Sequence, residues 1–186
     1  MMRSVLETLY RASLSLSAAC LVAIAALVGL QLAGRIADGV LALAGFPVMG
    51  LMVLSLAEIC GYLLAAASFL ALAPTLKAGA HIRVTMVLGG LSARQRRLVE
   101  LWAFGASAAA SAYLTYHLAR FAWFSFLFHE VSAGVVRVPL AYPQSAMAIG
   151  ALILTIALID ETCTVLQEGT PTFRAREDAV ALGKEG

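Results

Sequence analysis

Few side chains in this 186-residue chain are equipped for chemistry, and most of those stand inside apolar sequence. Glu58 is flanked by LSLA and ICGY, near the middle of an apolar run. A carboxylate at the centre of a membrane helix costs about 2.5–3.5 kcal/mol on insertion scales. It must therefore face protein, a partner or a watery cavity. Two chemistries suit it: an ion or proton site, or a hydrogen bond or ion pair that locks helix packing. No second carboxylate stands beside it, which favours packing. His81, His117 and His129 raise the question of haem, which needs two imidazoles facing each other at similar depth. Only His117 lies inside an apolar run. Cys20, Cys60 and Cys163 are odd in number, with no CxxC and no paired histidine spacing. Neither a disulfide framework nor a zinc site is expected, and the thiols read as small buried apolar groups. Asp160 and Glu161 are adjacent, so they leave a helix in different directions and mark the exit of the last apolar run. GxSxG, HExxH and a phosphate-cradling glycine loop are absent from the sequence, so no enzyme, cofactor or metal site is expected.

The elements that carry these residues belong to a membrane protein. The chain is 61% hydrophobic and 13% charged, with a mean hydropathy of +0.89. Soluble domains are about 45–50% apolar and about 25% charged. A net charge of +2 does not suggest nucleic acid as a partner. A bilayer core needs roughly 20 apolar residues in a helix. Four runs satisfy this, at about 12–33, 47–73, 98–128 and 139–166. The expected fold is an all-α integral membrane protein, with a four-helix membrane domain over 1–168 and a short polar tail over 169–186. The third run exceeds one crossing and must tilt or protrude. The first run continues past Cys20 to Ala33, longer than the core of a cleaved signal peptide, so it reads as a retained helix.

Charge sets the expected orientation. Lys77, Arg83, Arg94, Arg96 and Arg97 lie between runs two and three. The N-terminus holds Arg3 and Arg11, and the tail holds Arg174, Arg176 and Lys184. Only Arg35 follows run one, and only Arg137 precedes run four. By the positive-inside rule, both termini and the 76–97 loop are cytoplasmic. Within that loop Val84, Val87, Leu88 and Leu91 recur at helical spacing. They predict a short amphipathic helix in the interface, with Arg83, Arg94, Arg96 and Arg97 near anionic headgroups. Ser92 is a candidate cap for the following helix. Small residues stud runs two, three and four, which permits close helix approach in lipid. Arg120 lies about 33 Å along a helix that starts at Leu98, close to the far interface, beside His117 and the aromatic stretch FAWFSFLF. It reads as an interfacial anchor or as a polar contact to a partner.

The order of a membrane acid, a small-residue-rich run and a basic-x-Gly-x-His-Ile-x-Val motif resembles the small membrane subunit, DctQ-like, of tripartite ATP-independent periplasmic (TRAP) transporters. The matching residues are Glu58, Lys77, Gly79, His81, Ile82 and Val84. Thr85 stands where that family often carries Asp. The resemblance implies a small permease subunit that braces a large transport subunit (DctM-like). A periplasmic substrate-binding protein (DctP-like) would deliver small organic acids for sodium-coupled uptake into a bacterial cell. It implies structural or subunit-contact roles for Glu58, Lys77, Gly79, His81 and Arg120. The rival from another class is an independent homo-oligomeric four-helix channel or exporter, for which Glu58 is the one good pore candidate.

Overall fold

The structure, a computed structural model, describes residues 2–48, 50, 52–79 and 92–169. The expected interfacial helix at 84–91, with His81, Ile82, Arg83, Val84 and Thr85, lies outside the described residues, as does the tail beyond 169. The described elements are helices: α1 (Met2–Leu43), α2 (Leu56–Lys77), α3 (Ala93–Leu127) and α4 (Ala141–Glu168). Three are long and apolar enough to cross a membrane, over Arg3–Leu43, Leu56–Lys77 and Ala141–Gln167. Helix α3 has the length, but it opens with Arg94, Arg96, Arg97 and Glu100 and carries His117 and Arg120 further on.

The helices stand in a row, α1–α2–α4–α3, with only slight contact between α1 and α4. Helices α2 and α4 are parallel neighbours at the centre, and α1 and α3 run antiparallel to them on the outside. In lipid the hydrophobic effect does not hold helices together, so close packing and hydrogen bonds must. Each seam shows how. On α1, Tyr10, Ser13, Ser17, Ile24, Gln31 and Gly34 are buried or half-buried and fall on the a and d positions of a heptad. A 3.5-residue period keeps one stripe facing a partner along the whole contact. Between α2 and α4, Gly150 does the equivalent work. A Cβ there would sit 2.6 Å from the Phe69 carbonyl carbon, so only glycine admits this backbone approach. Between α3 and α4, Ser111 Oγ and Thr155 Oγ1 lie 2.9 Å apart, and Thr115 Oγ1 is 3.2 Å from Thr155 Oγ1.

One hydrogen bond in the α1–α2 seam repairs a defect written in the sequence. Pro74 lies inside α2 and has no amide hydrogen. The carbonyl four residues earlier, Leu70, therefore loses its intrahelical donor. Leu70 is only 2% exposed, and the Ser13 hydroxyl donates to its carbonyl at 2.6 Å. Ser17 donates likewise to the Ala67 carbonyl at 2.8 Å, one turn further along.

Two boundaries differ from those expected. Helix α1 extends past the apolar run at both ends, and residues from Arg35 to Leu43 are helical rather than part of a loop. At the 1.5 Å rise its length is about 63 Å, twice a bilayer core. The chain then folds back along it, with Gly50 N donating to Asp38 Oδ1 (3.2 Å) and Val53 N to Gln31 Oε1 (2.6 Å). Conversely, the apolar stretch at 47–55 is not helical, and α2 begins only at Leu56. Gly50 and Ser55 hold positive φ angles of 65° and 54°, which a continuing helix does not tolerate.

The Ser13–Pro74 relation is open to a double-mutant cycle. Ser13→Ala is expected to lower stability in detergent by about 1–3 kcal/mol, because it strands a buried carbonyl. In a Pro74→Ala background, where the helix supplies its own amide, the same change should cost clearly less. Thermal unfolding of the four variants measures the coupling.

Candidate functional site

The polar residues gather at the two ends of the row. At one end stand the C-termini of α2 and α4 and the N-terminal part of α1. Lys77 is the last residue of α2. Gly79 follows it at φ 72°, a left-handed turn in which Ala78 N and Gly79 N donate to the Pro74 and Leu76 carbonyls. Gly79 thus stops the helix and fixes where Lys77 stands. The Lys77 ammonium donates to Asp160 and, at 2.8 Å, to Glu161 Oε1. Glu161 is fully buried and the Lys77 side chain is 16% exposed. The Tyr10 ring of α1 lies 5.7 Å from the ammonium, which closes the cluster across three helices. Asp160 and Glu161 therefore do not diverge. They straddle one lysine, whose long stem brings its charge between two adjacent carboxylates.

The same end receives α3. Ser92 caps it in a reciprocal capping box with Gln95. Arg97 donates to the Leu166 carbonyl at 2.6 Å, and Arg96 pairs with the buried Glu100 at 3.4 Å. Two of the arginines expected to meet headgroups are thus engaged within the protein, because the last carbonyls of α4 and a buried acid lie in reach. Arg94 remains exposed.

Glu58 stands at the opposite end. It lies in the first turn of α2 and not near the middle of a spanning helix, a place where a helix dipole favours negative charge. Tyr62 donates to its Oε1 at 2.9 Å. Its other oxygen is buried beneath Gly134, where a Cβ would overlap the carboxylate. The loop that holds Gly134 is built by its own hydrogen bonds. Val131 bridges Pro139, Ser132 N donates to the Val138 carbonyl at 2.9 Å, and Ser125 Oγ donates to Glu130 at 2.5 Å. Val136 N donates to Ser55 Oγ at 3.0 Å, so α2 and the loop are tied at two neighbouring points. Glu58 is therefore a packing residue under a surface loop.

Beside it, a groove of about 370 Å³ runs between α2 and α4, lined by Ile59, Tyr62, Leu63, Ala66, Val138 and Tyr142 among others. Its lining holds no cationic side chain, so it offers nothing to recognise an organic acid. Among the described residues no group of three or more His, Cys, Asp or Glu side chains is arranged to hold a metal ion. His117 contacts Tyr113 and Tyr116, at centroid distances of 4.3 and 5.3 Å, and Arg120 lies over the rings of Tyr116 and Phe124. The arrangement can fasten helices and loops, and it presents no reacting centre.

Sequence reasoning missed the Lys77 cluster. Its partners are 83 and 84 residues away, and the available signal was the presence of two acids and one lysine at matching ends of apolar runs.

Each end can be tested by itself. Lys77→Met should destabilise the protein by about 3 kcal/mol, because it deprives a buried carboxylate of its cation. Adding Asp160→Asn and Glu161→Gln should restore much of the loss, as read by thermal unfolding. At the other end, Glu58→Gln should be milder than Glu58→Leu, since an amide oxygen still accepts from Tyr62. Protease cleavage of the 129–140 loop should accelerate in Glu58→Leu and change little in Glu58→Gln.

A family model described as tripartite ATP-independent periplasmic transporters, DctQ component, matches residues 48–168. No curated protein matches the chain significantly.

Proposed function

The chain belongs to the DctQ component family of tripartite ATP-independent periplasmic transporters, and from that membership we propose that it is the small permease subunit that braces a larger, DctM-like transport subunit. Proteins of this family are transporter components and not enzymes. The membership covers α2, α3 and α4 together with the outer loops between them. The observation that supports bracing is the row of helices fastened at both ends, by Lys77 at one and by Glu58 and Ser55 at the other. Such a body suits a stationary scaffold. Substrate sites of secondary transporters use helices broken near the midplane, with their termini turned toward the ligand. The three apolar helices here run unbroken.

In this reading all four helices cross a bacterial inner membrane, α3 by packing its polar residues against protein. The Lys77 end faces the cytoplasm, with both chain termini. Arg3, Arg11, Lys77, Arg94, Arg96 and Arg97 belong to that end, in accord with the positive-inside rule. The basic 76–97 segment then lies at the cytoplasmic interface, with His81 and Arg83 inside it. The opposite end carries the last turns of α1 and the 129–140 loop. There Ile36, Val40, Leu43 and Val135 are exposed, and this surface would help to dock a DctP-like binding protein. The transport itself, sodium-coupled uptake of small organic acids, belongs to the large subunit.

Reconstitution tests the assignment. Vesicles holding this chain, the large subunit and the binding protein should take up substrate under a sodium gradient. Vesicles with this chain alone should take up none. Uptake by the chain alone would overturn the assignment in favour of an independent transporter.

A further inference from the structure

Helix α3 packs on α4 through Phe104, Ala108, Ser111, Thr115, Ala122 and Ser125, each buried or half-buried. Arg120 is nine residues from Ser111, about two and a half turns, so it leaves the helix from the opposite side. Its guanidinium lies 5.9 Å from the Tyr116 ring and 5.5 Å from the Phe124 ring. Among the described residues it has no carboxylate partner.

Two sources of negative charge could meet this cation, a lipid phosphate or an acid on a neighbouring helix, and the geometry separates them. Ser111 faces Ala151 and Thr155 of α4. Arg120 therefore lies about 13 Å further toward the end of α3 that joins the 129–140 loop, and that end gives its nearer membrane surface. An arginine that reaches for headgroups there must extend toward the helix C-terminus. Helical side chains lean toward the N-terminus, and Arg120 lies against Tyr116, one turn in that direction. The rings hold the guanidinium beside the helix, with its in-plane N–H groups free to serve a fork-shaped acceptor. The same face offers room for a helix. An added Cβ at Gly105 would meet nothing within 4 Å, and Ala106, Ala109 and Ala110 around it are exposed. The glycine that the protein needs for its own packing is Gly150, so Gly105 leaves an unfilled, shallow surface on the outside of the row.

We propose that Arg120, held between Tyr116 and Phe124 on the free face of α3, pairs with a carboxylate on a membrane helix of the large subunit. This rests on the small-subunit assignment above. It makes α3 the docking helix, and it makes recognition bidentate and charge-dependent where the rest of the face is apolar. A carboxylate inside the membrane without a cation is costly, so each subunit would satisfy the other.

The test is recovery of the large subunit with the tagged small subunit from membranes that contain both. Recovery is repeated after transfer of the complex into vesicles of phosphatidylcholine, with or without phosphatidylglycerol. Arg120→Leu and Arg120→Gln should lower recovery tenfold or more, and Arg120→Lys should lower it less. Helix content and thermal midpoint of each isolated variant should match the parent, which separates lost docking from lost folding. Undiminished recovery with Arg120→Leu overturns this inference and leaves the subunit assignment standing. A loss that appears only with phosphatidylglycerol assigns Arg120 to lipid phosphate and also overturns it. If the unsubstituted chain recovers no large subunit, the assignment itself falls, and the inference with it.

Discussion

Lys77 places a positive charge where three helices meet, and the rest of the row is arranged around satisfying it. Its ammonium would be costly in an apolar setting without a counter-charge. Asp160 and Glu161 supply that charge from α4, and Tyr10 supplies an aromatic face from α1. Breaking such a pair costs more than forming it gains, because the residual carboxylate stays buried. The cluster therefore acts less as a source of stability than as a register mark. With Lys77 opposite Asp160, the Phe69 backbone falls beside Gly150, and with Tyr10 beside Lys77, Ser13 reaches the Leu70 carbonyl.

The seams that follow from this register use little hydrophobic contrast, since the surrounding lipid is as apolar as leucine. They use glycine for approach and hydroxyls for spare carbonyls. Pro74 shows how far this goes. A residue that damages its own helix is tolerated because another helix places a serine against the exposed acceptor. At the far end Glu58 and Ser55 hold a loop that has little hydrophobic support of its own. A row fastened at both ends, with free outer faces on α1 and α3, is suited to lean against a larger body and unsuited to open a path through itself.

Much of this was legible in the sequence. Composition and run length give the membrane class, and the order Glu58, Lys77, Gly79, His81 carries the family resemblance, which the family match over 48–168 agrees with. Hydropathy does not report where a backbone leaves the helix. The stretch PVMGLMVLS is as apolar as a spanning segment, so Glu58 read as central when it stands at a helix start. The reverse error fell on α1, whose helix continues through Arg35 and Asp38 because side chains at Gln31 and Asp38 bind the returning chain. Contacts over long separations left no local trace: nothing near Pro74 names Ser13, and nothing near Lys77 names Glu161. Arginine spacing suggested headgroup contacts for Arg96 and Arg97, whereas Glu100 and the end of α4 offered nearer acceptors.

The central claim is that this chain is a brace whose shape does not change while its partner transports. Spin labels at exposed positions on α1 and α3, such as Leu21 and Tyr113, span the row from one outer helix to the other. Their distance distribution should be measured in the assembled transporter, first at rest and then with sodium, binding protein and substrate present. The brace account predicts one narrow distribution that is the same in both conditions. A shift of about 5 Å, the height of one helical turn, or a second population on adding substrate, would show that the row itself moves in the cycle and would contradict it.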